Sequence, residues 1–211
     1  MHAAPRLRGG RLARAIWLVS GLFLCALGIL AFLESKLGLP PWDVLHQGIA
    51  RHTPLSFGIA NEAVALVVLL VAWWLGSRPG PGTIANAALI GLFVALVQPT
   101  HAVQELATWP LGARAALLAL GLVLFGAGTA LYIGAALGAG PRDSLMLVGA
   151  RRAGVRVGVS RTVIEGSALA AGFLLGGRAG VGTLVFAAAI GPAVEASFWL
   201  ASRSPLVERR L

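Results

Sequence analysis

Gly38-Leu39-Pro40-Pro41-Trp42-Asp43-Val44-Leu45 returns one hundred residues later as Gly138-Ala139-Gly140-Pro141-Arg142-Asp143-Ser144-Leu145. Each copy follows a long apolar run, puts a proline two residues ahead of an aspartate, and leads into a short segment ending in arginine, at Arg51 and at Arg151-Arg152. Proline at the first helical position with an acid in the first turn is a helix-start signal, because free N–H groups and the positive dipole end favour negative charge there. The match extends without gaps through Arg14 and Arg114, Gly21 and Gly121, Gly28 and Gly128, Arg78 and Arg178, Thr83 and Thr183, and Gly91 and Gly191. From position 14 to 94, roughly 27 of about 81 positions agree, against about 9 expected for unrelated stretches this rich in Ala, Leu and Gly. The chain is an internal duplication.

What is duplicated is apolar. The chain of 211 residues is 57% hydrophobic and 12% charged, against about 25% charged in soluble domains. Six apolar runs fall at residues 15–33, 59–76, 83–97, 115–137, 159–175 and 183–201. Each approaches the roughly 20 residues that cross hydrocarbon. The expected fold is all-α and polytopic: about six transmembrane helices in two inverted three-helix repeats, each with a short re-entrant or interfacial helix. The segments are a basic cytoplasmic tail (1–14), membrane repeat 1 (15–98), a connector (99–113), membrane repeat 2 (114–201) and a cytoplasmic tail (202–211). A secretory leader at the N-terminus is not expected, because the first apolar run has a partner at 115–137 and 31–35 is a poor cleavage site. The 28 glycines read as close-packing positions between membrane helices.

Three crossings per repeat is an odd number, so the second repeat enters the bilayer upside down. The arginines agree. With the N-terminus in the cytoplasm, the inside segments carry the N-terminal arginines, Arg78, Arg142, Arg151, Arg152, Arg156, Arg203, Arg209 and Arg210, and the outside segments only Lys36, Arg51, Arg114 and Arg178. A net charge of +9 thus reflects topology; the arginines end apolar segments rather than line a polar face with interleaved aromatics, and no nucleic acid is expected. The single cysteine, Cys25, lies in an apolar run and excludes an intrachain disulfide.

Candidate binding residues for a small solute are Asp43, His46, Arg142, Asp143, Arg161 and Glu165. Asp43 and Asp143 act either as helix-start acids alone or as a pair facing a polar cavity, with Arg142 as counter-ion and His46 within hydrogen-bonding spacing. Arg161 and Glu165 are four apart, share a helix face and can pair within the bilayer, either as a functional group or as a lock between helices. The paired Gly-Xaa-Gly-Thr turns that follow Arg78 and Arg178 and end at Thr83 and Thr183 either hold an anion or simply cap a helix. Glu62 and Glu195 are weaker candidates. His46 and His52 lack further ligands, so no metal is expected. Nothing matches a nucleophile–base or metalloprotease motif, so no catalytic residue, enzyme activity or cofactor is expected.

The runs Pro41-Trp42-Asp43-Val44-Leu45-His46-Gln47-Gly48, Arg78-Pro79-Gly80-Pro81-Gly82-Thr83, Gly140-Pro141-Arg142-Asp143-Ser144-Leu145-Met146 and Gly180-Val181-Gly182-Thr183 resemble the YczE/YyaS/YitT group of bacterial integral membrane proteins, in its YczE-like branch. Glu62 and Glu195 lie outside that pattern. The resemblance covers residues 14–201 and implies a small multi-pass protein of the bacterial cytoplasmic membrane. The functional expectation is a small-solute transporter or permease, with a non-transporting accessory or anchor for a biosynthetic or export system as the alternative. Its expected partners are the lipid bilayer, a small solute, and a second copy or another membrane protein.

Overall fold

The computed structural model describes residues 5–55, 57–97 and 108–207. Pro99, His101 and Glu105 of the expected connector, and Arg209 and Arg210 of the C-terminal tail, lie outside them. Within the described residues are eight α-helices: α1 (Arg11–Ser35), α2 (Pro41–His52), α3 (Phe57–Trp74), α4 (Pro81–Val97), α5 (Leu111–Gly134), α6 (Pro141–Ala153), α7 (Val157–Leu174) and α8 (Val181–Arg203). The first four recur as the second four at a spacing of one hundred residues. Even the turns recur. Lys36 and Ala136 take left-handed φ of 49° and 53° after α1 and α5, and Gly38 and Gly138 follow at 153° and 120°. Those two glycines are obligatory, because that backbone region admits little else and a Cβ on Gly38 would stand 2.9 Å from the Thr183 amide nitrogen.

Three helices, α1, α5 and α8, are long and apolar enough to cross a membrane. At about 1.5 Å per residue, 25, 24 and 23 residues give about 34 to 38 Å. The other three expected crossings are shorter: α3 and α7 have 18 residues each and α4 has 17, about 25 to 27 Å. The fold is helical and consistent with a membrane protein, and Leu66, Val67, Leu70, Trp73 and Trp74 on α3 and Leu184 and Leu200 on α8 turn outward as a bilayer requires.

The basic start is not simply a tail. Helix α1 begins at Arg11, and ahead of it Leu7 is buried, its N–H donating to Gly134 O at 2.9 Å, while Arg8 N–H reaches Leu206 O at 2.7 Å. The two ends of the described chain therefore meet at one end of the bundle, and an arginine-rich helix start is tolerated because Arg8 and Arg11 are exposed there and Arg14 binds carbonyls at the end of α5.

The most extensive helix pair is α1 with α5. An ideal Cβ on Gly21 would stand 2.7 Å from Gly128 O, and one on Gly28 would stand 2.8 Å from Gly121 O. Moving along α1 from 21 to 28 moves backward along α5 from 128 to 121, so the two helices are antiparallel and their backbones touch. Contacts across the halves come in exchanged pairs. Arg14 donates from Nε to Ala135 O (2.7 Å) and from Nη2 to Ala136 O (2.5 Å); Arg114 donates to Ser35 O (2.7 Å) and Lys36 O (3.0 Å). Arg51 binds Gly176 O, and Arg151 binds Gly76 O. In each case guanidinium groups satisfy carbonyls left over at a helix end, which have no intrahelical donor. The apolar core joins Leu22, Phe32, Leu122, Met146, Ile190 and Phe198, with Phe186 meeting Phe32 edge-on at 4.9 Å between ring centres.

Candidate functional site

Helix α6 starts with Gly140 as N-cap and Pro141 at the first position, so Asp143 falls in its first turn, 7% exposed. Sequence spacing alone would leave it there as a helix-start acid. The structure gives it two further partners: Tyr132 of α5 donates its hydroxyl to Asp143 Oδ2, and Arg161 of α7 donates from Nη1 to Asp143 Oδ1. The same Tyr132 oxygen accepts the Gly140 N–H at 3.4 Å. Arg161, 4% exposed, lies 3.2 Å from Glu165 Oε1 through Nε, 3.8 Å from Met146 Sδ through Nη1, and 5.4 Å from the centre of the Phe125 ring. One guanidinium thus bridges two carboxylates. Such a group persists away from water only when paired, since an isolated buried charge costs several kcal/mol. Ser160 adds a brace, donating to Met146 O at 2.9 Å and tying α7 to α6.

The cluster continues across the junction between halves. Arg142 donates to Asn61 Oδ1 of α3 at 3.1 Å, and its guanidinium carbon stands 4.9 Å from the centre of the Trp42 ring of α2. Trp42, 6% exposed, lies beside the Glu165 carboxylate, although its indole N–H closes no hydrogen bond of normal geometry. Arg142 is within electrostatic range of Glu165, Asp43 and Asp143. His46 is fully buried, with Nδ1 3.4 Å from Asp43 Oδ1, while the Asp43 side chain keeps 28% of its exposure.

Arg142, Asp143, Arg161 and Glu165 thus meet in one buried group at the α2–α3–α6–α7 junction, and Asp43 with His46 forms a flanking pair. The two aspartates are not equivalent: Asp143 is locked by two side chains, Asp43 by one. Tyr132 and Asn61 belong to the group, although sequence reasoning passed over both. A signal existed for Tyr132. It is the chain's one tyrosine, set in an apolar helix, and a buried hydroxyl needs a partner.

The Gly-rich turns do something other than bind an anion. Thr83 is the third residue of α4 and caps the turn from there: its hydroxyl accepts from Gly80 N at 3.1 Å and donates to Ala139 O at 2.8 Å, and Gly82 N donates to Leu137 O at 2.8 Å. Thr183 repeats this with Gly180 N (3.1 Å) and Leu39 O (2.6 Å), and Gly182 N with Leu37 O (2.9 Å). The donors an anion would need are taken by carbonyls of the opposite half, and the Arg78 and Arg178 side chains point outward, exposed. Of the weaker acids, Glu62 is exposed beside Asn61 (3.3 Å), and Glu195 pairs with Arg156 at 2.5 Å. Among the described residues no three His, Cys, Asp or Glu side chains converge as metal ligands would.

Residues 12–197 match a family described as "Family of unknown function (DUF6198)". An uncharacterized protein of Haemophilus influenzae is 39% identical over 171 residues, spanning 81% of this chain and 77% of that one. The uncharacterized membrane protein YczE of Bacillus subtilis is 34% identical over 170 residues, 80% of this chain and 77% of its own. The uncharacterized protein YyaS of the same organism is 28% identical over 171 residues, 78% of this chain and 82% of its own. No solved structure matches the chain.

Proposed function

The chain belongs to the family of unknown function DUF6198, and from that premise we propose that it moves a small solute across the bacterial cytoplasmic membrane. In this reading it has six crossings in two inverted three-crossing halves, with both ends in the cytoplasm. The antiparallel α1–α5 seam and the exchanged Arg14 and Arg114 contacts support the inversion, as does the excess of arginine at the end where the two ends meet. Helices α2 and α6, 12 and 13 residues or about 18 to 20 Å long, are too short to cross. Both bury residues, Trp42, Val44 and His46 in one and Met146, Val148 and Ala150 in the other, which favours re-entrant half-helices over helices lying flat in the interface. Half-helices meeting between inverted halves are a recurrent way to build a solute site.

The observation that carries the proposal is the Asp143–Arg161–Glu165 cluster, reached by Arg142 from the same half and by Trp42 and Asn61 from the other. Ionisable groups at bilayer depth mark pathways more often than they serve as packing. A non-transporting accessory role has one observation in its favour: two surface cavities, of about 840 and 400 Å³, are lined by other residues and do not reach the cluster. Proteoliposomes separate the two readings. Uptake of labelled amino acids, polyols or organic cations, lost in Asp143→Asn and Glu165→Gln while both variants stay folded, is the expected result. No uptake of any probe by the wild type, together with copurification of a membrane partner that both variants lose, would establish the accessory role instead.

A further inference from the structure

The cavity of about 840 Å³ lies between α7 and α8, away from the charge cluster. Its helices touch through glycines: a Cβ on Gly158 would stand 2.8 Å from Gly191 O. Val159, Val163, Ala188 and Ala196 give it an apolar wall. From Arg156 to Val163 this wall runs about 10 Å along α7. At one end, Arg156 donates from Nε to Glu195 Oε1 at 2.5 Å, which fixes the plane of the guanidinium. The Arg156 side chain is 68% exposed, so its terminal nitrogens are open to a further acceptor. The hydrogen bond and charge of Glu195 raise the Arg156 pKa further, on a guanidinium that is cationic at physiological pH in any case. Trp199 stands at the same end, its ring 3.8 Å below the Arg203 guanidinium carbon, as an interfacial tryptophan does. Pro192 within α8 has no N–H, so the Ala188 carbonyl in the groove loses its helical donor.

The glycine contact belongs to the duplicated scaffold, but the polar end of the groove does not. The positions one hundred residues earlier are Ser56, Ala95, Leu92 and Pro99 for Arg156, Glu195, Pro192 and Trp199. A fixed cation beside a carboxylate, with an indole alongside and an open apolar trough running down from them, is the complement of a zwitterionic amphiphile. We propose that the α7–α8 groove holds an amine-headed membrane phospholipid, its phosphate on the free edge of Arg156, its ammonium beside Glu195, and its upper acyl chain against Val159 and Val163. The lipid lies at the end of the bundle where the two chain ends meet, and the assignment is independent of whether any solute crosses the centre.

The test uses the full chain reconstituted in nanodiscs of equal parts phosphatidylethanolamine and phosphatidylglycerol, extracted into mild detergent and examined by native mass spectrometry. Wild type retains phosphatidylethanolamine in preference. Arg156→Gln lowers the retained lipid by about tenfold, the size of one lost charge-assisted hydrogen bond, whereas Arg178→Gln on the other half leaves it unchanged. Glu195→Gln keeps a phospholipid but no longer distinguishes the two headgroups. Equal retention in Arg156→Gln and Arg178→Gln, or a wild-type preference for phosphatidylglycerol, overturns the proposal. Each variant's fold is checked first by the melting temperature at which Cys25, buried in α1, becomes reactive.

Discussion

Replacing Gly28 with alanine tests the seam on which the architecture rests. The added Cβ would stand 2.8 Å from both Gly121 O and Phe125 N, and 3.0 Å from Phe125 Cβ. Two of those three atoms are backbone, so no rotamer change relieves the overlap. Bringing a carbon–oxygen contact back to about 3.3 Å requires α1 and α5 to separate by about 0.5 Å, and a gap of that size forfeits about a quarter of the dispersion energy along the seam. Overpacking of this kind costs about 1 to 3 kcal/mol. In a chain of this length about 2 kcal/mol lowers the melting temperature by about 4 to 8 °C. The assay follows Cys25, the single cysteine, 1% exposed on α1, with a thiol-reactive fluorophore during heating in detergent. Gly166→Ala is the control, because nothing lies within 4 Å of its ideal Cβ; alanine there is neutral or stabilising by up to about 1 kcal/mol. Equal melting temperatures for Gly28→Ala and wild type would show that the helices are not in backbone contact, and the reasoning would fail with them.

Two other expectations follow from the same geometry. Asp143→Asn leaves Arg161 paired with Glu165 but takes the charged acceptor away from two buried donors, the Tyr132 hydroxyl and Arg161 Nη1, a loss of about 1 to 3 kcal/mol, whereas Asp43→Asn, at a side chain 28% exposed, costs under about 1 kcal/mol; equal melting temperatures for the two variants would refute the inequivalence of the aspartates. In a Cys25→Ala background, Arg78→Cys and Arg178→Cys, both at exposed positions, should react with an impermeant maleimide from opposite sides of the membrane, and labelling of both from one side would end the inverted reading.

The scaffold was legible because it is written twice. Helix starts at Pro41 and Pro141, breakers at Gly76 and Gly176, and the Gly21, Gly28, Gly121 and Gly128 positions all stand out on comparing the chain with itself, and each lies at a helix boundary or a backbone contact. Partners were harder to read. Arg14 and Arg114 matched across the repeat, yet nothing local says that each reaches a carbonyl about 80 to 120 residues away. Thr83 and Thr183 do take the Gly80 and Gly180 N–H groups as caps would, but a Gly-Thr turn carries no mark of the carbonyl from the opposite half that each hydroxyl also reaches. Within the charged cluster, only the Arg161–Glu165 pair follows from helical spacing; the Asp143–Arg161 and Asp143–Tyr132 bonds join three helices and depend on tertiary packing.

A physical reason separates the repeated residues from those that differ. Backbone carbonyls, glycines and the arginines that bind helix ends can serve both halves at once, since each exchanged contact pairs unlike atoms. Positions that meet their own counterparts cannot stay identical if they are charged. Residues 42 and 142 face each other at 4.9 Å; two arginines there would repel by about 3 kcal/mol at an effective dielectric of about 20. Trp42 against Arg142 replaces that repulsion with a cation–π attraction of about 0.5 to 2 kcal/mol. The same divergence runs outward from this point: Tyr132, Arg161 and Glu165 stand where the first half has Phe32, Asn61 and Ala65. Departures from the repeat in buried positions, gathered around one member of the repeated Pro-Xaa-Asp pair, therefore locate the charged centre: Asp143 is retained from the duplication, whereas the cation it shares with Glu165 has no counterpart in the first half.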